Sequence, residues 1–407
     1  MTDVKVAGAA ACLAEASPKR TEPVRATVHP VQVAGLGIAT PEGRLTNADL
    51  EKMVETSDDW IVTRTGIRER RIAPPEMATS DLALAAARAA LQDASISPEE
   101  IDLIIVATIT PDHAFPATAC LVQAGLGIPG IPAYDLSAGC SGLAYAIDQA
   151  WHALSSGAYR NALVIGADTL SRIVDFTDRR TCVLFGDGAA AMVLSRLSLG
   201  ETPGILASNL GADGRGGPLL ILPAGGSRLP ASHTTVAARQ HYLQMNGQEV
   251  FKFAVRILED STRRVLAKAG LTVDDLGLFV PHQANIRIIE AARERLGIPP
   301  ERVMVNVERY GNTSAASIGL ALAEARQAGR LRPGMLVAMT GFGTGLTWGS
   351  VLLRWTKSEG DSPVSGTNGT FAASAAYPNG NADTAAGGNG KTNGKVNGKV
   401  AEERQGR

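Results

Sequence analysis

The sequence is poor in cysteine, carries almost no net charge and has no long apolar segment. Its 407 residues include four cysteines, which form no C-x-x-C pair and no metal-ligand spacing with histidine. We therefore expect a protein of the reducing cytoplasm that holds no metal ion. The formal net charge of −1 provides no global basic field for nucleic acid. Because no apolar run is long enough to span a bilayer, we expect no membrane partner either.

Apolar residues and glycine are abundant in the middle of the chain. The sequence is 45% hydrophobic and contains 44 glycines, which suits a large buried sheet with many close backbone turns. Alternating strand and helix patterns predict an α/β fold with a mostly parallel, covered sheet. The ends differ in composition. We expect a flexible extension at residues 1–28, order from about Val31, and a disordered Gly/Asn/Lys-rich tail at residues 358–407.

Cys140 lies where the apolar segment 133–136 passes through small residues into a helical pattern. Gly139 and Gly142 flank it, as expected where a strand turns sharply into a helix. Unpaired backbone N–H groups and the positive end of the helix dipole would favour the thiolate over the thiol at such a position. Cys140 is therefore a candidate nucleophile. The competing interpretation is a small buried cysteine at a tight turn.

Two more polar residues lie at strand-to-helix junctions. His282 follows the apolar segment Leu278–Pro281, and Asn312 lies in a turn after residues 304–307. Each has a structural alternative, because a histidine beside an apolar run is often a core residue and an asparagine often caps a turn. Open α/β sheets bind ligands beyond the carboxyl ends of their strands, however. Three polar groups at three such ends favour a shared site.

The two halves of the chain repeat one order of helices and strands. Three predicted strands of the first half have counterparts roughly 171 to 175 residues later. The pairs are 103–107 with 278–280, 133–136 with 304–307, and 161–167 with 334–340. This constant spacing indicates an internal duplication, with lobes at residues 29–202 and 203–357. If the lobes pack as a pseudo-twofold pair, Cys140, His282 and Asn312 meet in one pocket.

Several motifs together resemble one family over about residues 31–355. They are Ser57–Arg68, Ala138–Gly142, Phe185–Gly188, His282–Asn285, Gly311–Ser317 and Gly341–Gly349. The chain resembles β-ketoacyl-acyl-carrier-protein synthase III, the condensing enzyme that starts bacterial fatty acid synthesis. The resemblance implies a thiolase-like fold, in which two duplicated lobes stack in αβαβα layers, each with a mixed, mostly parallel sheet. It also implies an acyltransferase that works as a homodimer.

The resemblance gives the candidate residues a joint chemistry. Cys140 would attack an acyl-CoA thioester, and the N–H groups of Cys140 and Thr344 would stabilise the oxyanion. Malonyl-acyl-carrier protein would then lose CO2, while His282 and Asn312 donate hydrogen bonds to the developing enolate. Phe342 would keep the pocket dry. The product is a β-ketoacyl-acyl-carrier protein, and coenzyme A enters as part of a substrate, with no cofactor bound permanently.

Further residues are assigned by the same resemblance. Trp60 would stack on adenine, with Arg64 and Arg179 binding phosphate nearby. Phe115 would close the acyl pocket of a dimer partner. The carrier protein would dock on a basic rim formed by Gln283, Ala284, Asn285, Ile286, Arg287 and Lys252.

Other functions stay open at the level of sequence. The same fold could prime a secondary product such as a polyketide. It could also serve a hydroxymethylglutaryl-CoA synthase relative, although such an enzyme needs a general-acid glutamate and none adjoins Cys140. A Cys-His-Asn set also occurs in thioester and peptide hydrolases, and a non-catalytic scaffold is a fourth possibility. Incubation with acetyl-CoA and malonyl-acyl-carrier protein distinguishes these alternatives.

Overall fold

The computed structural model describes residues 28–357 and the short strand Gly366–Thr367. Apart from residue 28 and that strand, the predicted extension (1–28) and tail (358–407) lie outside the described residues. The strands are β1 Val31–Ala39, β2 Arg44–Thr46, β3 Glu69–Arg71, β4 Leu103–Ala107, β5 Ala133–Leu136, β6 Asn161–Asp168, β7 Gly188–Arg196, β8 Ile205–Ala212, β9 Leu220–Ile221, β10 Gln244–Met245, β11 Leu278–Pro281, β12 Leu336–Gly343, β13 Thr347–Arg354 and β14 Gly366–Thr367. The α-helices are α1 Asn47–Leu50, α2 Asp58–Thr65, α3 Thr79–Ala94, α4 Thr118–Leu126, α5 Gly142–Ser155, α6 His233–Ala237, α7 Gly247–Lys268, α8 Ile286–Leu296, α9 Val307–Tyr310 and α10 Ser317–Gln327.

Two larger sheets share one strand pattern. The first has the order β14-β1-β7-β6-β4-β5, and the second has the order β11-β12-β13-β8. In the first sheet β1 and β6 run antiparallel to β7, while β4 runs parallel to both β6 and β5. In the second, β8 and β12 run antiparallel to β13, and β11 runs parallel to β12. The matching pattern supports the duplication, and the lobe boundary near residue 203 stays a prediction.

One predicted strand of the second lobe is reduced to a single bridge. Residues 304–307 were expected to pair as a strand, but only Val303 forms a parallel bridge with Phe279. The Met304 N–H also donates to the Phe279 carbonyl over 2.8 Å. The segment then leaves the sheet because Val307 begins the short helix α9. The strands expected at Leu103–Ala107 and Ala133–Leu136 are confirmed, and the first described strand begins at Val31.

The core explains how five layers form. Alternate residues of β4 face opposite sides of the first sheet: Leu103 and Ile105 pack in one cluster, and Ile104 and Val106 in another. The inner cluster joins α5 and α10 to both sheets, while α3 covers the outer face of the first sheet. Helices α7 and α8 cover the outer face of the second. The resulting αβαβα arrangement confirms the thiolase-like fold.

The turn Phe185–Gly188 is held in place by its aspartate. Asp187 is buried and accepts hydrogen bonds from the backbone N–H groups of Ala73 and Ser171. Among the described residues, no helix combines the length and apolarity needed to cross a membrane.

Candidate active site

Cys140 lies in a short 3-10 turn, Gly139–Ser141, immediately before α5. Gly139 has φ +54°, a left-handed conformation that favours glycine. A Cβ at Gly139 would lie 2.8 Å from the Thr344 N, and one at Gly343 would lie 2.4 Å from the Cys140 N. The two backbone segments are therefore in direct contact. This contact brings the Cys140 and Thr344 main chains together at one corner of the site.

The His282 side chain is held on several sides at the end of β11. Its backbone N–H donates to the Thr340 carbonyl over 2.8 Å, and its Nδ1 lies 2.6 Å from the Ser317 Oγ. The Phe342 ring approaches the imidazole edge-on, with ring centroids 5.2 Å apart. Only 1% of His282 is exposed. This burial lowers the pKa of His282 to about 3, so the imidazole is neutral at pH 7.

Asn312 is fixed by backbone and side-chain hydrogen bonds. Its N–H donates to the Leu184 carbonyl over 2.8 Å, and its carbonyl accepts from the Gly186 N–H over 3.0 Å. The Asn312 Oδ1 accepts the Ser314 N–H over 2.8 Å. Because the amide oxygen is engaged there, the Nδ2 group is available as the donor. The Asn312 side chain lies close enough to the Cys140 thiol to lower its pKa.

The thiol has a different ionisation from the one expected at a helix start. Burial raises the pKa of Cys140 to about 12, and the neighbouring Ser314 and Asn312 side chains offset this only in part. The buried carboxyl of Asp168 raises the pKa further. The expectation of a stabilised thiolate is therefore wrong, because desolvation outweighs the helix-terminal N–H groups. Cys140 rests as a thiol at neutral pH.

The three predicted residues are connected through neighbouring parts of the structure. Asn312 lies beside the Cys140 thiol and lowers its pKa, although the two come from different halves of the chain. His282 joins them through Phe342, whose neighbours Gly341 and Gly343 approach the Cys140 backbone. The thiol, the carboxamide and the imidazole thus belong to one buried cluster.

A cavity of about 480 Å³ opens on Cys140. Its walls are mostly aliphatic, with Ser314 and the loop Thr344–Gly345 beside the sulfur. The apolar wall residues are Ile109, Leu170, Ile173, Phe185, Pro218, Leu220, Ile221, Leu222 and Leu243. Such a space can hold an apolar chain with its reacting carbon at the thiol.

Helix α2 supplies an aromatic platform with two arginines. The Arg64 guanidinium lies 5.1 Å from the centre of the Trp60 ring, and the Arg179 guanidinium lies 5.5 Å from it. Trp60 is half-buried and both arginines are exposed. Arg179 also donates to the Glu55 carbonyl over 2.8 Å. The structure therefore brings together all three residues predicted for coenzyme A.

The predicted carrier-docking residues divide into surface and interior positions. Arg287 is exposed over the Phe251 ring at 5.7 Å, and Lys252 is exposed and paired with Glu249. Asn285 caps α8 and donates from Nδ2 to the Arg64 carbonyl over 3.0 Å. The half-buried Ala284 and Ile286 adjoin it.

Gln283 does not belong to that docking surface. Its exposure is 1%, and its Nε2 donates to the Pro281 and Met304 carbonyls. Its Oε1 accepts the Asn306 N–H over 2.9 Å. The prediction that Gln283 contacts the carrier is therefore wrong, because this side chain braces the backbone beside His282. Phe115, by contrast, is 85% exposed, as a residue that reaches a partner subunit would be.

Three buried polar residues near the site have no predicted role. Ser314 has φ +50° and lies against Cys140. Asp168 accepts hydrogen bonds from the Ile109 and Ala315 N–H groups, which ties the first sheet to the turn after Asn312. Ser317 contacts His282. The two serines belong to the recognised Gly311–Ser317 motif, whereas the aspartate only ends a strand pattern.

The comparisons with known proteins agree with this geometry. Residues 134–214 match the family model of 3-oxoacyl-[acyl-carrier-protein] synthase III, and residues 266–355 match that of its C-terminal part. A beta-ketoacyl-[acyl-carrier-protein] synthase III from Symbiobacterium thermophilum is 58% identical over 328 residues, covering 81% of this chain and 99% of the relative. The crystal structure of the synthase III from Aquifex aeolicus matches with a TM-score of 0.74 and 50% identity, covering 80% of this chain and 100% of that one. A priming β-ketosynthase of a polyketide pathway matches with a TM-score of 0.75 and 36% identity, covering 81% of this chain and 97% of that one.

Fold and site together define a condensing acyltransferase of the thiolase-like class. Its sheets, its buried cysteine and its relatives agree on that class. More narrowly, the chain belongs to the β-ketoacyl-acyl-carrier-protein synthase III family, whose condensation initiates fatty acid synthesis.

Proposed function

We propose that Cys140, His282 and Asn312 are the catalytic residues of this condensation. In the first half-reaction the Cys140 sulfur attacks the carbonyl carbon of a primer acyl-CoA. The N–H groups of Cys140 and Thr344 donate to the oxyanion. The C–S bond to coenzyme A breaks, and the proton lost by Cys140 is taken up by the departing thiolate. The acyl group is then held on Cys140 as a thioester.

In the second half-reaction a malonyl group on acyl-carrier protein loses CO2. The electron pair of the broken C–C bond forms an enolate, whose oxygen accepts hydrogen bonds from His282 and Asn312. The enolate carbon forms a C–C bond to the acyl carbonyl carbon, and the C–S bond to Cys140 breaks. The β-ketoacyl product leaves on the acyl-carrier protein, and the Cys140 thiolate takes up a proton from water. Phe342 supports this step, since an apolar wall solvates a carboxylate poorly and so favours its loss as CO2.

Substrate delivery follows from the surface around the cavity. In this proposal Trp60, Arg64 and Arg179 bind the coenzyme A end of the primer, and no resident cofactor is involved. Arg287 and Lys252, with the segment Ala284–Ile286, receive the acidic carrier protein. The hydrogen bond from Asn285 to the Arg64 carbonyl makes these two surfaces neighbours.

We further propose a cytoplasmic homodimer. Phe115 is 85% exposed, and a partner subunit that covers it would remove this apolar surface from water. Cys120, Cys140 and Cys182 are free thiols, as suits a reducing compartment. Size-exclusion chromatography with light scattering tests the oligomeric state.

The contact between the Cys140 thiol and the Asn312 amide at one end of an apolar cavity carries the proposal. Its test is to incubate the variants with acetyl-CoA and then with malonyl-acyl-carrier protein, with mass spectrometry of the intact protein. Cys140→Ala should form no acyl-enzyme and no product. His282→Ala and Asn312→Ala should acylate Cys140 yet release little CO2. Cys182→Ala, at a buried cysteine outside the cavity, is the matched control and should keep full activity.

The outcomes of this assay separate the other functions. Release of acetate without a condensed product would instead indicate a thioester hydrolase. Condensation only with primers other than acetyl-CoA would favour priming of a polyketide. The priming β-ketosynthase compared above is named for this role. An unacylated His282→Ala protein would contradict the proposed division of the two half-reactions.

A further inference from the structure

We infer that Ser317 is a positioning residue that holds His282 in the tautomer with its proton on Nε2. This inference rests on the proposed role of His282 as a hydrogen-bond donor to the enolate. Ser317 is the first residue of α10, and only 1% of it is exposed. Its Oγ lies 2.6 Å from the His282 Nδ1. No function assigned above uses this serine.

The direction of that hydrogen bond follows from counting donors. The Gln283 N–H donates to the Ser317 Oγ over 3.5 Å, a long contact that uses the oxygen as an acceptor. Among the described residues, the structure records no carbonyl or carboxylate that accepts from the Ser317 hydroxyl. If Nδ1 carried the proton, the hydroxyl hydrogen would be left without an acceptor in a buried site. The arrangement that satisfies both groups has the hydroxyl donating to Nδ1.

The tautomer matters because a neutral imidazole carries a single proton. With Nδ1 acting as the acceptor, the proton lies on Nε2 and is available to the enolate oxygen. In the opposite tautomer Nε2 would present a lone pair to that oxygen and repel it. Ser317 therefore selects the donor without touching the substrate.

Gln283 keeps this contact in place. Its side chain binds the Pro281 and Met304 carbonyls and the Asn306 N–H, so the backbone on both sides of His282 is fixed. The Gln283 N–H is thereby kept near the Ser317 oxygen. This accounts for a buried glutamine next to the catalytic histidine.

The experiment compares Ser317→Ala with Ser261→Ala in the full-length protein. Ser261 is also buried, and its hydroxyl lies 2.7 Å from the Ser350 Oγ. It is connected to the His282 backbone through Ser350 and Thr340 and does not touch the imidazole directly. We expect Ser317→Ala to form the acyl-enzyme from acetyl-CoA at the wild-type rate, while kcat for condensation falls several-fold, because only part of the imidazole then carries its proton on Nε2. The Ser261→Ala protein should lose neither half-reaction.

A spectroscopic measurement distinguishes tautomer control from general damage. In protein labelled with 15N-histidine, the His282 signals of the wild type should show protonation at Nε2 alone, identified by their loss in His282→Ala. Ser317→Ala should show a mixture of tautomers. Ser317→Thr, which keeps a hydroxyl on the same carbon, should restore the Nε2 signature and most of the activity, and it also serves if the alanine variant does not fold.

Two results would overturn the inference. One is Ser317→Ala with an unchanged Nε2 signature, and the other is Ser317→Ala with wild-type condensation. His282→Ala separates this failure from failure of the proposed function. If both Ser317→Ala and His282→Ala condense normally, the proposed function itself is contradicted. If His282→Ala loses condensation and Ser317→Ala does not, only the role of Ser317 is contradicted.

Discussion

The imidazole of His282 and the ring of Phe342 meet edge to face, with centroids 5.2 Å apart and planes inclined by 73°. Phe342 in turn lies beside Phe253, at 6.5 Å between ring centroids. These aromatic rings exclude water from the imidazole and keep it neutral. In the proposed mechanism the Phe342 ring would also face the malonyl carboxylate, so one contact would serve both requirements of decarboxylation.

Phe342→Ala should separate the two half-reactions. Removing the ring admits water to His282, so condensation should fall by more than tenfold relative to acyl-enzyme formation. The protein should also lose about 3–5 kcal/mol of stability. Phe342→Leu, which keeps an apolar wall, is the control and should retain most condensation. Equal losses in both half-reactions for Phe342→Ala would contradict this role.

The ionisation of His282 predicts a pH dependence of stability. Burial lowers its pKa from 6.5 to about 3, so the unfolded chain binds a proton that the folded chain rejects. The contribution of the neutral imidazole to the free energy of unfolding is complete above pH 6.5 and is lost as the pH falls toward 3. Between pH 6.5 and 5 it should amount to about 2 kcal/mol. Urea unfolding at these two pH values measures it.

For that experiment His282→Gln should lose less stability on acidification than the wild type. His113→Gln, at an exposed histidine, is the control and should behave as the wild type does. Identical pH dependence in His282→Gln and the wild type would argue against a buried neutral imidazole.

Gly343→Ala should disturb the part of the site where the N–H groups of Cys140 and Thr344 are proposed to stabilise the oxyanion. The new Cβ would lie 2.4 Å from the Cys140 N, so one of two backbone segments must move. We expect acyl-enzyme formation to fall on the order of 10²-fold, the usual effect of losing an oxyanion donor. Gly214→Ala, at a glycine with no atom within 4 Å of the new Cβ, should be silent. Normal acylation in Gly343→Ala would show that this close contact is dispensable.

Arg287→Glu tests carrier docking. Reversing this exposed charge should raise KM for malonyl-acyl-carrier protein by roughly tenfold, with little change in acylation by acetyl-CoA. The effect should shrink at high salt because the charges are exposed. Arg295→Glu, near the other end of α8, is the matched control. An equal rise in KM for both variants would place the carrier elsewhere.

The residues of the candidate site could be found from the sequence because their information is local and periodic. Strand patterns, glycine-rich turns and the constant spacing between the two halves can all be read along one dimension. Cys140 and Asn312 occupy equivalent turns in the two copies, so packing the copies together was enough to bring them into contact. The one strand that failed, after Val303, makes a single bridge to Phe279 and then turns into α9 at Val307.

The sequence by itself determined the α/β class, the duplication and the three polar groups of the site. Only the tertiary structure decided that the Cys140 thiol is protonated, that Gln283 is buried and that Ser317 binds His282. These properties depend on desolvation and on hydrogen-bond partners. Ser317 is 35 residues from His282 in the chain, and Phe342 is 60 residues beyond the same histidine. Burial and partnership of this kind arise only when distant segments pack, and no local pattern encodes them.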